Sequence, residues 1–297
     1  MKYLDPKNDL VFRKLFGEHP HLLLSFLNCI LPLEPNQIFE HIQYPEPEIT
    51  HEHTGLKRSA MEVYCIDSKQ ITYIIEIQMY WTSAFKQRML FNTGKALVQQ
   101  LKGSGKFREL NQVYGLSLID DVFHTAPKMK DTFYHHYQLI HKQVSNEQIK
   151  GLELIFIELP KFQSKNFTDN SLQTLWLRFL TEINESTTAI PHEFLTEPTL
   201  AEALKYVQKN AFTNEEQFIY NQNWDAIQIE KEAIEELEEK NIVLQNEKKE
   251  ALAREDESKQ KLINSAREML SYGLPIELII KSTGLTRHQI EHLPKIK

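Results

Sequence analysis

The sequence has few of the features that mark secreted or membrane-bound proteins. Its 297 residues include only two cysteines, Cys29 and Cys65, too few for the disulfide framework of a small secreted domain. No apolar run approaches the roughly 18 residues that a membrane-spanning helix needs. The first residues, MKYLDPKND, also lack the apolar core of a signal peptide. We therefore expect a cytoplasmic protein with reduced thiols that does not contact a membrane.

Two acids interrupt the otherwise apolar runs of residues 58–80, RSAMEVYCIDSKQITYIIEIQMY. Two runs rich in β-formers flank a polar DSKQ turn, a pattern that predicts an antiparallel hairpin. Glu76 and Gln78 alternate with period two along the second run and so share one face, while Glu62 lies in the first run. Burial of lone carboxylates is costly unless an opposite charge compensates them. A divalent cation held between Glu62 and Glu76 would provide that charge.

The alternative is that Glu62 and Glu76 lie on the solvated face of an edge hairpin. The run IIEIQ is apolar on both faces apart from its acid and amide, which is more typical of a buried strand than of an exposed edge. The buried interpretation is therefore favoured.

Acidic residues are absent from residues 81–108, which directly follow this hairpin, although the whole chain has a net charge of −7. A stretch with charge of one sign is expected where a protein contacts phosphate. The alternative is a solvated helix face, but the position after two paired acids favours nucleic acid. The basic residues of the stretch are Lys86, Arg88, Lys95, Lys102, Lys106 and Arg108.

The alternation of strand and helix patterns predicts an α/β protein with a mixed central sheet flanked by helices. A length of 297 residues is typical of about two domains. Asp5 followed by Pro6 predicts the start of a first helix, with Asp9 on it. Residues 122–150 are polar, and we assign no chemistry to their histidines. Composition divides the chain into residues 1–224, an acidic helix or coiled coil at 225–260, and a small helical module at 261–297.

Six segments spread over most of residues 1 to about 225 carry a resemblance to a known family. They are DPKNDLVFRKLFG at 5–17, KRSAMEVYC at 57–65, IIEIQ at 74–78, QQLKGSGKF at 99–107, VYGLSLID at 113–120 and LIFIELPKF at 154–162. In this combination the chain resembles the recombination-promoting nuclease / putative transposase (Rpn) family of the PD-(D/E)XK nuclease superfamily. The resemblance implies a restriction-endonuclease-like fold and a nuclease that acts on DNA and promotes recombination.

The resemblance also implies roles for particular residues. Glu62, Glu76 and Gln78 correspond to the catalytic hairpin, with Glu62 and Glu76 as ligands of Mg²⁺ or Mn²⁺ and Asp9 as a helix-borne acid that can join them. Lys57 and Arg58 at the mouth of the hairpin join the basic stretch as expected DNA contacts. Gln78 stands where the wider superfamily has lysine.

One position departs from the family pattern, because Glu62 stands where the family carries Asp. An extra methylene moves a carboxylate by about 1 Å, and a misplacement of that size can cost roughly 10²-fold in rate. The alternative function is therefore a nuclease-like DNA-binding or regulatory protein with weakened catalysis.

The C-terminal third has a different character. Residues 225–260 carry twelve acids and six basic residues, a net charge of −6. Two heptad positions hold Ile227, Ile234, Asn241 and Lys248, and Leu237, Leu244 and Ala251. This pattern predicts a short coiled coil with an Asn in its seam, and hence a homodimer, whereas the alternative is one long solvated helix.

The last residues, 262–293, read as three short helices, and the spacing of the final two is typical of a helix-turn-helix. Arg287 and His288 would suit DNA, whereas Glu291 would not. A DNA-reading role and a small packing module both stay open.

Overall fold

The computed structural model describes residues 2–33, 38–44, 61–67, 69–79, 82, 84–101, 106–144, 146–162 and 171–293. Three of the predicted DNA contacts, Lys57, Arg58 and Lys102, lie outside these ranges, and Glu62 and Gln78 are described by their backbones alone. The chain forms two compact units, residues 1–229 and residues 230–297.

A six-stranded mixed sheet with the order β1-β2-β3-β4-β6-β5 forms the centre of the first unit. The strands are β1 Ile42–Gln43, β2 Met61–Asp67, β3 Thr72–Gln78, β4 Val113–Ile119, β5 Tyr134–Ile140 and β6 Gln148–Glu158. Strands β3, β4 and β6 run parallel, whereas the pairs β1–β2, β2–β3 and β5–β6 are antiparallel. Helices cover both faces, so the predicted α/β architecture with a mixed central sheet is confirmed.

In the described part of the first unit, six α-helices precede the long helix that continues into the second. They are α1 Asp9–Phe12, which continues as a π-helical turn at Arg13–Gly17, α2 Pro20–Ile30, α3 Phe85–Gln99, α4 Leu172–Glu182, α5 His192–Thr196 and α6 Pro198–Tyr206. Helix α7 then runs over Asn214–Ser271. None of the helices in the described ranges is both long and apolar enough to cross a bilayer.

The alternation of side chains along β3 separates two cores. Tyr73, Ile75 and Ile77 pack into the larger core with α2 and α4, whereas Ile74 packs into a smaller core with Phe85 of α3. Since strand side chains point to opposite faces in turn, Glu76 lies on the face that α3 covers.

The first helix begins at Asp9, later in the chain than the Asp5-Pro6 pair predicts. Asn8 is its N-cap, and the Asn8 side chain accepts a hydrogen bond from the Leu10 N–H at 3.1 Å. The Asp5 carboxylate instead accepts from the Lys7 N–H at 2.9 Å, as an Asx-type turn. The prediction of the helix start was therefore wrong, but Asp9 does lie in the first turn.

Strand β5 was not predicted, because its sequence YHHYQLI is polar and half of it is exposed. It pairs antiparallel with β6, and β6 begins at Gln148 rather than at Leu152. Strand β5 forms the edge of the sheet, where Leu139 and Ile140 remain more than half exposed. A polar edge strand carries no strong apolar alternation.

The second unit contains the end of α7 followed by α8 Ile276–Thr283 and α9 Arg287–Glu291. Its small core consists of Ala266, Ile279, Leu285 and Ile290. Gly284 ends α8 in the left-handed conformation at φ +70°, and Thr286 and Gln289 form a capping box at the start of α9. The first of the three predicted short helices is the end of α7, and the other two form as predicted.

The close packing of α3 on β4 depends on Gly115. A Cβ at this position would lie 2.6 Å from Thr93 Cγ2 and 2.9 Å from both Leu154 Cδ2 and Met89 Sδ. We expect Gly115→Ala to destabilise the fold by about 1 to 3 kcal/mol, as overpacking does. The measurement is thermal unfolding followed by circular dichroism.

The matched control is Gly94→Ala on α3 itself, where a Cβ would meet nothing within 4 Å. That change should raise the midpoint, since Ala favours a helix interior by up to about 1 kcal/mol over Gly. Equal midpoints for the two variants would contradict the packing described here.

Candidate active site

Several polar residues meet at one end of the sheet. Strands β3, β4 and β6 are parallel and all finish there, and the antiparallel β2 begins there. This end therefore holds Glu62 on β2, Glu76 and Gln78 on β3, and Glu158 on β6. In open α/β sheets, ligands bind outside the carboxyl ends of the strands.

Glu62 and Glu76 are direct partners in the register of the β2–β3 hairpin. Residues directly opposite in an antiparallel pair have Cβ atoms about 4.5 to 5.5 Å apart. Glu76 is 1% exposed, because β3 lies inside the sheet and α3 covers this face. The solvated-edge interpretation is therefore wrong for Glu76, and a buried carboxylate stands at the predicted position.

The charge of Glu76 is compensated by Arg88 on α3. Arg88 Nη2 donates to Glu76 Oε1 at 2.6 Å, and the guanidinium also lies over the Phe85 ring at 4.9 Å from its centroid. The sequence analysis assigned Arg88 to DNA alone. Arg88 is three residues after Phe85 and directly before Met89, which mark the apolar face of α3. This position was the signal that Arg88 points toward the sheet.

Comparison with known families identifies the family to which this chain belongs. A family model described as PD-(D/E)XK nuclease family transposase matches residues 6–237. The chain belongs to this family. No significant similarity to a curated protein or to a solved structure was found. Membership in the PD-(D/E)XK nuclease family transposases indicates a nuclease-like function, with DNA as the substrate that such a family implies.

The N-terminal segment that carries Asp9 is tied to the same end of the sheet. Lys7 Nζ lies 3.2 Å from Asp120 Oδ2, directly after β4, and 3.5 Å from Asp5 Oδ2. The Asp5 N–H donates to the Tyr220 hydroxyl at 3.1 Å, so α7 holds the segment from the other side. Asp9 follows Lys7 by two residues, as the first residue of α1.

The surroundings of Asp9 disfavour the ionised form of its carboxyl group. It is half-buried, and burial raises the pKa of its carboxyl from 3.8 to about 6. An ionised acid in such a place weakens the fold at neutral pH unless a cation binds it. This is the behaviour expected of a functional acid.

The described basic residues of the predicted DNA surface do not all point the same way. Arg88 turns to Glu76, and Lys86 turns to the other side of α3, toward β5. Lys95, Lys106 and Arg108 are exposed. These three exposed side chains are accessible to solvent, whereas Arg88 contacts the buried acid.

A second buried carboxylate, missed by the sequence analysis, lies at the end of β6. Glu158 is fully buried, and its Oε2 accepts from Lys161 Nζ at 2.6 Å and contacts His135 Nε2 at 2.7 Å. Its Oε1 accepts from the backbone N–H groups of Phe123 and His124 at 2.7 and 3.0 Å. Burial alone would raise the pKa of Glu158, but these donors lower it below its ordinary value. An acid and a lysine at the end of the apolar run LIFIELPK were the signal.

The oxygen donors at this end of the sheet fit a hard divalent cation. Carboxylates are the ligands that Mg²⁺ and Mn²⁺ prefer, and Glu76, Asp9 and the position of Glu62 offer that chemistry. Among the described side chains, no three acids, histidines or cysteines form a metal-binding group. The side chain of Glu62 is outside that set, so the assignment of metal ligands stays a prediction.

The raised pKa of Asp9 predicts a gain in stability when the charge is removed. We expect Asp9→Asn to raise the unfolding midpoint at pH 7 by roughly 2 to 6 °C. The gain should shrink as the pH falls from about 6 toward 4, because the parent then protonates Asp9 as well. Thermal unfolding at several pH values measures both effects.

The control is Asp131→Asn at an exposed position, which should leave the midpoint nearly unchanged. Added Mg²⁺ should raise the midpoint of the parent more than that of Asp9→Asn if Asp9 contributes to a cation site. A lower midpoint for Asp9→Asn at pH 7 would show that Asp9 stabilises the fold instead.

Proposed function

We propose that this chain is a metal-dependent DNA endonuclease that hydrolyses phosphodiester bonds and serves recombination, with Mg²⁺ or Mn²⁺ held by Glu62 and Glu76. The observation that supports this most is the buried Glu76, directly opposite Glu62 in the hairpin register at the carboxyl end of the sheet. Nothing in the packing of a sheet requires an acid there, and its burial is costly. Asp9 would act as a further acidic ligand at the edge of the site.

The residues of the site would have different roles in the hydrolysis. A bound divalent cation would polarise the phosphodiester and lower the pKa of a bound water. Arg88 holds Glu76 in one orientation through its bond to Oε1. Gln78 would orient the attacking water or donate to a phosphate oxygen, because its amide is both donor and acceptor but carries no charge.

DNA binding would come from the basic residues that follow the hairpin. Phosphate contacts provide affinity and orientation with little sequence information. Lys95, Lys106 and Arg108 are exposed and suit such contacts. Lys57, Arg58 and Lys102 complete the proposed set.

The second candidate function is a nuclease-like DNA-binding or regulatory protein with weakened catalysis. Two observations favour it. Glu62 is one methylene longer than the family's Asp, and Arg88 already compensates the charge of Glu76 without a metal ion. Under this proposal the fold and the DNA surface persist while the hydrolytic site is damaged.

Substitutions in the hairpin test the nuclease. Glu76→Gln and Glu62→Ala should each lower cleavage of plasmid DNA in Mg²⁺ by at least about 100-fold, while DNA binding stays within a few-fold. EDTA should abolish cleavage by the parent. Glu147→Gln, an exposed acid on the chain, is the matched control and should cleave normally.

The shorter acid then separates the two functions. Glu62→Asp should slow an enzyme tuned to Glu62, because the carboxylate no longer reaches the cation. In a damaged site the same change should create or raise cleavage. If Glu62→Ala cuts DNA as fast as the parent, with both proteins folded, the hairpin is not the active site.

We propose further that two copies associate through α7, as cutting both strands of a duplex would require two sites. In the second unit, the seam residues Leu237 and Leu244 are 59% and 60% exposed. A heptad seam of this kind gains its stability only when a second helix covers it. The acidic residues around it would set the pairing.

Sedimentation equilibrium tests the dimer. The parent should sediment as a dimer, and Leu237→Glu combined with Leu244→Glu should be monomeric, since two charges would enter the seam. Ile242→Glu combined with Val243→Glu is the matched control, because these residues are equally exposed but lie off the seam. The proposed seam would be refuted if the parent is monomeric, or if both double variants dissociate the dimer equally.

A further inference from the structure

Three polar side chains from three separate segments converge beside the first turn of α3. Lys86 Nζ donates to the Tyr137 hydroxyl at 3.2 Å and lies 3.4 Å from His124 Nε2. His124 Nε2 lies 3.1 Å from the same hydroxyl. Tyr137 is 39% exposed, and Lys86 and His124 are half-buried. The convergent side chains therefore reach the surface.

This cluster is built on a rigid support. The Lys86 ammonium lies over the rings of Phe123 and Tyr137, at 4.8 and 5.3 Å from their centroids. The buried Glu158 fixes the backbone of Phe123 and His124 by accepting both N–H groups. Placement of this kind is what a binding site needs, because side chains held beforehand lose little entropy when a ligand arrives.

The local charge is suited to an anion. Lys86 brings a positive charge to the cluster, and beside it Lys161 and Glu158 form an ion pair at 2.6 Å. The pKa of His124 lies below its ordinary value, because of burial first and then because of the nearby Lys86 charge. Burial and a nearby positive charge both favour the neutral imidazole.

The cluster also lies on the same helix and the same sheet as the candidate active site. Lys86 precedes Arg88 by two residues on α3, and Arg88 contacts Glu76. Strand β3 with Glu76 and strand β5 with Tyr137 are three strand spacings apart, about 14 Å. At this separation the two places would contact different phosphates of a bound DNA.

We propose that Lys86, His124 and Tyr137 form a phosphate site that binds the DNA backbone about 14 Å from the bond at Glu76. This inference rests on the proposed action on DNA. Lys86 supplies the charge, and the Tyr137 hydroxyl and the His124 ring supply directed hydrogen bonds. The three residues position the substrate strand and take no part in the hydrolysis itself.

The test is binding of the full-length protein to a fluorescein-labelled 30-base-pair duplex, in EDTA, at several salt concentrations. Lys86→Gln should raise Kd and lower the slope of log K against log salt by about 0.9, the contribution of one phosphate contact. Tyr137→Phe should raise Kd by about twofold to tenfold with an unchanged slope, because it removes one neutral donor. The double variant should lose less than the product of the two, since Lys86 and Tyr137 contact each other.

The matched control is Lys150→Gln, an exposed lysine at the start of β6 and so at the opposite end of the sheet. It should leave the slope and Kd unchanged. Thermal unfolding confirms that each variant is folded, and Tyr137→Phe keeps the packing of the ring.

The outcomes separate this site from the proposed function. If the parent binds DNA and Lys86→Gln and Tyr137→Phe behave like Lys150→Gln, the phosphate site is overturned and DNA binding stands. If the parent does not bind DNA, both are overturned. If the parent binds DNA and the two variants lose binding as expected, but the parent does not cleave DNA in Mg²⁺, the phosphate site is supported and the nuclease alone is overturned.

Discussion

The compensation of buried negative charge governs the functional end of this sheet. Glu76 and Glu158 are both buried where parallel strands finish, and each has a basic partner at 2.6 Å, Arg88 on α3 and Lys161 three residues further along the chain. Removal of one partner from such a pair leaves an uncompensated charge and is far more costly than the pair itself is stabilising. The positions of α3 and of the segment after β4 are therefore linked to two carboxylates rather than to apolar packing alone.

The two carboxylates differ in their surroundings. Glu158 has four donors or ring contacts and a lowered pKa, as expected of a structural acid. Glu76 has Arg88 from α3 and lies opposite a second acid, Glu62, in the register. Nearby, Asp9 has a raised pKa. Acids that are held less favourably are those on which a cation would have most effect.

The fold class and the hairpin could be predicted from the sequence because they depend on local periodicity. Apolar runs with period two identified β3, and Glu76 stood out as an acid within one. The start of α1 was misplaced because Asp5 and Pro6 fit a cap and a turn equally well, and only the contacts of Asn8 with α7 decide between them. The spacing of three residues between Glu158 and Lys161 could have indicated their contact, whereas His135 joins Glu158 through pairing between distant strands and could not be predicted.

Lys161 illustrates how such a network limits sequence change. Its ammonium donates to Glu158 Oε2 and to the carbonyl oxygens of His124 and Met129, at 2.6, 2.6 and 2.9 Å. A lysine has three protons to donate, so all three are used within the protein. Arginine presents its donors in a flat fork and cannot point them at three acceptors around one nitrogen. Lysine and arginine often replace each other on protein surfaces, but arginine cannot make the contacts of Lys161.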